Sequence, residues 1–202
     1  PEIEEIKTDI VVGDLFELID DNGTIHRLLC GDSTKIETFR KALSGQKANM
    51  VFTDPPYEIE DEFSKHIVES AKEDCHIFIM TSDKKCVDVI NNNYGIFKKF
   101  FAVDFRQARL VSNNQPMTRV DLVVELNKGK GKFNNLFDGF STLIQCSKIH
   151  SDKVEMNYGH KQAKKIELPF SFISHYSDEN DLILDCFSGS GTTLIACCQL
   201  KR

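Results

Sequence analysis

Residues 48–56, Ala-Asn-Met-Val-Phe-Thr-Asp-Pro-Pro, constrain this chain more than any other stretch. The short apolar run at Ala48–Phe52 predicts a strand buried on both faces, the habit of parallel sheets. Two prolines then end it, because proline lacks the ladder N–H and fixes φ. Asp54 is therefore expected at a strand's carboxyl end on a rigid backbone. Open α/β sheets bind their ligands at such ends. A second strand-then-turn stretch lies near the other end of the chain: Asp185-Cys186-Phe187-Ser188-Gly189-Ser190-Gly191-Thr192-Thr193.

The sequence between and before these stretches alternates strand and helix signals, which predicts a doubly wound, mostly parallel α/β sheet. Apolar segments flank Asp20-Asp21-Asn22-Gly23, and Asn-Gly between strands signals a hairpin. Leu28-Leu29-Cys30 is expected to run on from it as a core strand. Helices are expected at Thr34–Leu43, capped by Ser33 or Thr34, at Glu60–Lys72 and at Asp83–Ile90. Further strands are expected at Cys75–Met80, Phe97–Val103 and Val120–Leu126. The stretch Asp104–Arg119 is rich in Arg, Asn and Gln. The pattern from Asn127 to Asn157 is weak except for a short strand at Thr142–Cys146, and loops this long inside a domain are usually functional or disordered. A helix at Ile166–Tyr176 is expected to be interrupted by Pro169 or to start near it. A strand at Asp181–Cys186 and a helix at Thr192–Leu200 complete the chain.

A length of 202 residues suits one domain. No apolar run approaches the roughly 18 residues that span a membrane. With no secretory signal and seven cysteines in no paired spacing, a reducing cytoplasm is the expected location. The cysteines are expected to be small buried hydrophobes, and adjacent Cys197-Cys198 cannot both face one metal. His26, His66, His76, His150 and His175 show no ligand spacing, so no metal is expected. The net charge of −6 is unusual for a nucleic-acid binder, which normally presents a basic face. Local basic clusters do exist at Lys128–Lys132 and Lys161–Lys165, and each is equally readable as a solvated loop.

The Gly189-Ser190-Gly191 turn lets a backbone approach a ligand, and the helix after it favours anionic groups. A phosphate-binding loop would need a lysine at the helix start, and none is present. A dinucleotide site would want a third small residue where Leu194 stands. A donor such as S-adenosylmethionine has no phosphate, yet its carboxylate suits the same helix terminus. An ordinary tight turn remains open. For the first stretch, an aromatic amine is a poor nucleophile because its lone pair is delocalised into the ring. The Asp54 carboxylate and the Pro55 carbonyl can both accept hydrogen bonds from such an amine and orient its lone pair. Pro56 holds the backbone, and Tyr57 offers a face to a base taken out of its stack. A plain turn after a strand remains the alternative.

Taken together, Thr53-Asp54-Pro55-Pro56-Tyr57 and Leu184-Asp185-Cys186-Phe187-Ser188-Gly189-Ser190-Gly191-Thr192-Thr193 resemble the amino-methylating DNA methyltransferases that use S-adenosylmethionine. Their order along the chain is that of the circularly permuted beta class. The stretch Arg27 to Ser33 resembles that family's Gly-Asp strand end, and His160 to Leu168 resembles its His-Pro-Thr-x-Lys-Pro segment, with Lys161 and Lys165 in place of both prolines. The resemblance implies a Rossmann-like fold with residues 1–26 as a hairpin extension and residues 27–202 as the methyltransferase domain. Residues 104–157 are the candidate target-recognition insert. It implies catalysis by Asp54, Pro55, Pro56 and Tyr57. It implies donor binding by Asp32, Ser33, His160, Lys164, Asp185, Phe187, Ser188, Gly189, Ser190, Gly191, Thr192 and Thr193. The acceptor would be double-stranded DNA, in restriction-modification style, with a homodimer or an accessory subunit as the expected assembly. Asp at the first catalytic position is what the resemblance associates with adenine N6; cytosine N4 is the alternative. A catalytically silent nucleic-acid-binding module with the same fold is the reading from another class. The family's acidic ribose-binding strand has no counterpart here, so either a further carboxyl-terminal part or another group holding the ribose is expected.

Overall fold

The computed structural model describes residues 8–56, 58–59, 63–109, 118–146 and 166–202. Tyr57, His160, Lys164 and the Lys161–Lys165 cluster therefore lie outside the described residues. The elements in chain order are β1 (Leu15–Ile19), β2 (Ile25–Leu29), α1 (Ile36–Ala42), β3 (Ala48–Thr53), α2 (Phe63–Ser70), β4 (Ala71–Thr81) and α3 (Asp83–Asn92). They continue with β5 (Phe97–Arg109), β6 (Thr118–Asn127), β7 (Leu143–Gln145), α4 (Glu167–Tyr176), β8 (Ile183–Leu184) and α5 (Thr192–Leu200).

Among the described residues, six strands form one sheet in the order β7-β5-β6-β4-β3-β8. Of these, β3 runs parallel to β4 and β8, and β5 parallel to β7. Strand β6 runs against both of its neighbours. Both faces of the sheet are covered, as the apolar run in β3 requires. Val51, Ile77 and Ile79 pack under Phe39, Phe63, Ile67 and Val89 of α1, α2 and α3. Met50, Phe52, Phe78 and Met80 pack under Phe172, Ile173 and Ala196 of α4 and α5. Successive side chains thus go to opposite cores, the period of two expected of a strand. Asn49, the polar residue in the run, accepts the Leu182 N–H at 3.1 Å and the Lys72 ammonium at 2.9 Å, which ties β3 to the approach of β8.

Four sequence expectations are corrected. Leu28-Leu29-Cys30 is not a core strand, since β2 pairs with β1 alone in a separate antiparallel sheet. The exposed positions along β2 explain this, because a core strand must bury both faces. Helix α1 starts at Ile36 with Lys35 as its N-cap, not Ser33 or Thr34. The Asp32 carboxylate instead accepts the Thr34 N–H and hydroxyl and folds the chain into a turn first. Pro169 does not interrupt α4; of the two expectations the start near the proline holds, since Pro169 sits in the first turn, where backbone N–H groups have no intrahelical acceptor. Finally, β5 and β6 extend past the predicted ends and continue as a two-stranded ribbon to Arg109 and Thr118. The 104–157 stretch is therefore partly sheet, and residues 110–117 and 147–157 of it lie outside the described residues.

Candidate active site

The prolines do at Asp54 what their chemistry requires. Strand β3 ends at Thr53, and Asp54 follows at the carboxyl edge of the sheet, half-buried, with Pro55 buried behind it. Strand β8 ends beside it, because β3 and β8 are hydrogen-bonded neighbours in parallel register. Two stretches far apart in sequence thus meet edge to edge. Thr53 stitches them together: its hydroxyl donates to Asp185 Oδ1 at 3.1 Å and accepts the Cys186 N–H at 3.2 Å. The Phe187 N–H also donates to Asp185 Oδ1, at 3.0 Å. The Ser33 hydroxyl donates to the Cys186 carbonyl at 2.7 Å and braces the turn from the other side.

The Gly-rich turn then reverses into α5. Gly189 and Gly191 take φ of +49° and +77°, conformations that side-chain-bearing residues rarely adopt. Gly191 is the N-cap, so no side chain caps the helix, and no acidic residue occupies its first turn. The amides and positive dipole end of α5 are therefore offered to an anionic group.

One cleft of about 550 Å³ joins the two stretches, with Asp54, Pro55 and Pro56 on one side and Asp185 and the 187–193 turn on the other. That volume lies in the usual range for small-ligand sites, about 300–1,000 Å³. Phe52, Met80, Leu168 and Pro169 supply the apolar lining. Burial pushes the Asp185 carboxyl above the usual carboxylate range, and the charge of Asp54 adds to the push; hydrogen bonds from Thr193, Phe187 and Thr53 oppose it. Two carboxylates facing one cleft favour a cationic ligand group, while the bare helix terminus favours an anionic one. The arrangement fits a ligand carrying both.

The sequence-predicted residues Asp54, Pro55, Pro56, Asp185, Phe187, Ser188, Gly189, Ser190, Thr192 and Thr193 all line this cleft. Gly191 lies within the same turn. Asp32 does not line the cleft; its carboxylate is turned to Thr34 and lies 3.6 Å from the Lys35 ammonium. Sequence reasoning passed over Thr53 as a site residue, together with Glu58 and Pro169. Thr53 stood inside the quoted motif, but only the strand pairing reveals which stretch its hydroxyl serves. The Lys128–Lys132 cluster falls at the opposite edge. There Lys128 reaches the Ala71 carbonyl and the Lys130 N–H donates to Asp74, both at the amino end of β4.

Comparison with known proteins now decides the family. A family profile described as DNA methylase matches residues 98–202, just over half of the chain, from β5 through the Gly-rich turn to α5. The chain belongs to this DNA methylase family. Solved structures share the methylase fold. The M1.HpyAVI–SAM complex superposes with a TM-score of 0.66 at 21% identity, over 83% of this chain and 83% of its own. The PvuII DNA methyltransferase, cytosine-N4-specific, gives 0.61 at 18% identity, over 85% and 77%. TTHA0409 of Thermus thermophilus, solved in complex with S-adenosyl-L-methionine, gives 0.58 at 14% identity, over 81% and 83%. No curated protein sequence matches the chain. Among the described residues, no helix is long and apolar enough to cross a membrane.

Proposed function

We propose that this methylase transfers a methyl group from S-adenosylmethionine to the N6 amine of adenine in double-stranded DNA. The observation that carries the proposal is the shared cleft: an acceptor-side carboxylate, Asp54, faces a Gly-rich turn suited to a zwitterionic donor. The family match and the folds of the M1.HpyAVI–SAM and TTHA0409 complexes support it.

When bound, S-adenosylmethionine supplies an electrophilic methyl group on a sulfonium. The residues to hold it are Gly189, Ser190, Gly191, Thr192 and Thr193 at the start of α5, with Asp185 beside them. The uncapped helix and the space that the described residues leave at both glycines fit its carboxylate, and the Asp185 carboxyl beside them suits its positive end. Asp54 and the Pro55 carbonyl accept hydrogen bonds from the target amine and turn its lone pair out of conjugation. In a cleft partly closed to water, such fixed acceptors cost little reorganisation. The proton freed from the amine passes to solvent, so Asp54 acts by orientation. Tyr57, next in sequence after the prolines, offers its ring to the extruded base. His160 and Lys164 are proposed to complete donor binding. The β5–β6 ribbon rises from the same edge as the cleft, and the bidentate ion pair of Arg119 with Asp104, at 2.6 and 2.7 Å, braces its base. We assign that ribbon to DNA contact.

The fold likeness to the cytosine-N4-specific PvuII enzyme favours a second reading, transfer to the N4 amine of cytosine. Incubating the chain with DNA and isotopically labelled S-adenosylmethionine, then resolving the nucleosides by mass, separates the two. Label in N6-methyladenine is expected. Label in N4-methylcytosine would move the assignment to the second reading, and no label in either base would remove both.

A further inference from the structure

The fold brings together three metal-ligating side chains that the sequence scatters and the transfer reaction does not use. Asp20 opens the turn of the hairpin, His26 lies on β2, and Cys198 lies in the last turn of α5. Nε2 of His26 sits 3.2 Å from Oδ2 of Asp20 and 3.3 Å from Sγ of Cys198. The carboxylate oxygen, the ring nitrogen and the sulfur all lie within 4.8 Å of one another. Tetrahedral coordination with bonds of about 2.0–2.3 Å places neighbouring ligand atoms roughly 3.3–3.7 Å apart. Two of the three donor pairs therefore already stand close to the spacing that a zinc-sized ion requires.

Their surroundings hold them there. Oδ1 of Asp20 accepts the Asn22 and Thr24 N–H groups at 2.8 and 2.9 Å, which leaves Oδ2 directed at His26. Outer hydrogen bonds of this kind orient metal-binding carboxylates. The His26 and Asp20 side chains are only 9% and 7% exposed. Cys198 stands at a helix carboxyl end, where the dipole favours a cation. One oxygen, one imidazole nitrogen and one sulfur suit zinc or cobalt, whereas magnesium and calcium prefer all-oxygen shells.

We propose that Asp20, His26 and Cys198 form a binding site for a zinc-like divalent transition-metal ion, with solvent as the fourth ligand, that fastens the hairpin to α5. As the metal–sulfur bond forms, the Cys198 thiol gives its proton to solvent. The proton that His26 Nε2 shares with Asp20 moves to Nδ1, which frees the Nε2 lone pair, and the hydrogen bond to Asp20 is replaced by two metal–ligand bonds. No electron is transferred. A proton on Nε2 shared between Asp20 and Cys198 is the competing occupant of the same space.

Titrating the metal-free, tag-free chain with Co²⁺ tests the proposal. Saturable binding of one ion per chain is expected, with a thiolate-to-cobalt charge-transfer band that Zn²⁺ displaces. Cys198→Ser should abolish the band, and His26→Gln should weaken binding by about tenfold or more. In the unaltered protein, Zn²⁺ should protect Cys198 from iodoacetamide, as read by peptide mass mapping; this readout needs no variant to fold. Absence of saturable Co²⁺ binding, a band that survives Cys198→Ser, or equal alkylation of Cys198 with and without Zn²⁺ would each overturn the site.

Discussion

At the carboxyl edge of the sheet, among the described residues, a Cβ added to Gly191 would meet nothing within 4 Å, and one added to Gly189 would meet only the Phe187 carbonyl at 3.9 Å. At the amino edge, a Cβ on Gly131 would fall 2.0 Å from Nε2 of His76 and 2.2 Å from Nδ2 of Asn127. All three glycines have positive φ, but the space around them differs. Around Gly131 the protein is full. The His76 ring lies 2.9 Å from Glu125 Oε1, stacks on Phe78, and sits 3.1 Å from the Asn127 amide nitrogen. Around Gly189 no described residue fills the space. One edge of the sheet is packed for stability, and the other is left open for chemistry.

The largest effect expected at the open edge is on rate. Asp54→Ala should lower methyl transfer by about 100- to 1,000-fold, the usual loss for a preorganised polar contact, while donor binding stays within a few-fold. Retention of more than about a tenth of the rate would end the orienting role given to Asp54. At the packed edge the effect should be on stability. Gly131→Ala should lower the unfolding free energy by about 1–3 kcal/mol through overpacking, with methylation per folded molecule unchanged. Urea melts at matched activity would expose a mistake here if the midpoint did not move.

Gly189→Ala is the converse experiment. It should cost about 1–2 kcal/mol through its left-handed backbone alone, yet weaken S-adenosylhomocysteine binding by about tenfold or more in calorimetry. Equal donor affinity in this variant would detach the donor from the turn. A smaller effect concerns pH. Because burial raises the Asp185 carboxyl, the folded chain keeps a proton that the unfolded chain releases. Stability should therefore fall as pH climbs from the ordinary carboxylate value of about 4 through the raised one. Asp185→Asn should flatten that dependence while weakening donor binding, and an unchanged slope in denaturation across the acid-to-neutral range would contradict it. The smallest effect belongs to Lys130→Glu. The edges are separated by most of the length of β4, at about 3.3 Å per residue. That exceeds the Debye length of about 8–10 Å, so DNA affinity should change by less than about twofold at physiological salt. A large loss in a filter-binding assay would place the basic loop against DNA after all.

Local pattern alone was enough for the strands and helices around the site. The apolar run with its proline stop located the end of β3, and the glycines located the start of α5. Each signal acts over a few residues, through φ restriction or a missing N–H. The candidate donor and acceptor stretches were legible for the same reason. The antiparallel direction of β6 was not, because a strand's own residues carry little information about its neighbour's direction. The isolation of the hairpin was hidden too, since Leu28 and Leu29 look like core residues until the partners of β2 are known. The placement of Lys128–Lys132 depended on that reversed strand, which delivers the loop to the far edge.

What the sequence determined by itself is therefore the chemistry available: a carboxylate held by two prolines, and a glycine turn opening a helix. What only the tertiary structure decided is which groups meet. Pairing of β3 with β8 set Asp54 across from the Gly-rich turn and gave the Thr53 hydroxyl two partners in the distant stretch. Docking of the hairpin on α5 set Asp20 and His26 against Cys198, although no spacing in the sequence suggests a cluster. Such contacts join residues far apart along the chain. They follow from burying whole faces of the sheet and helices together, a free energy summed over many side chains that no short motif encodes.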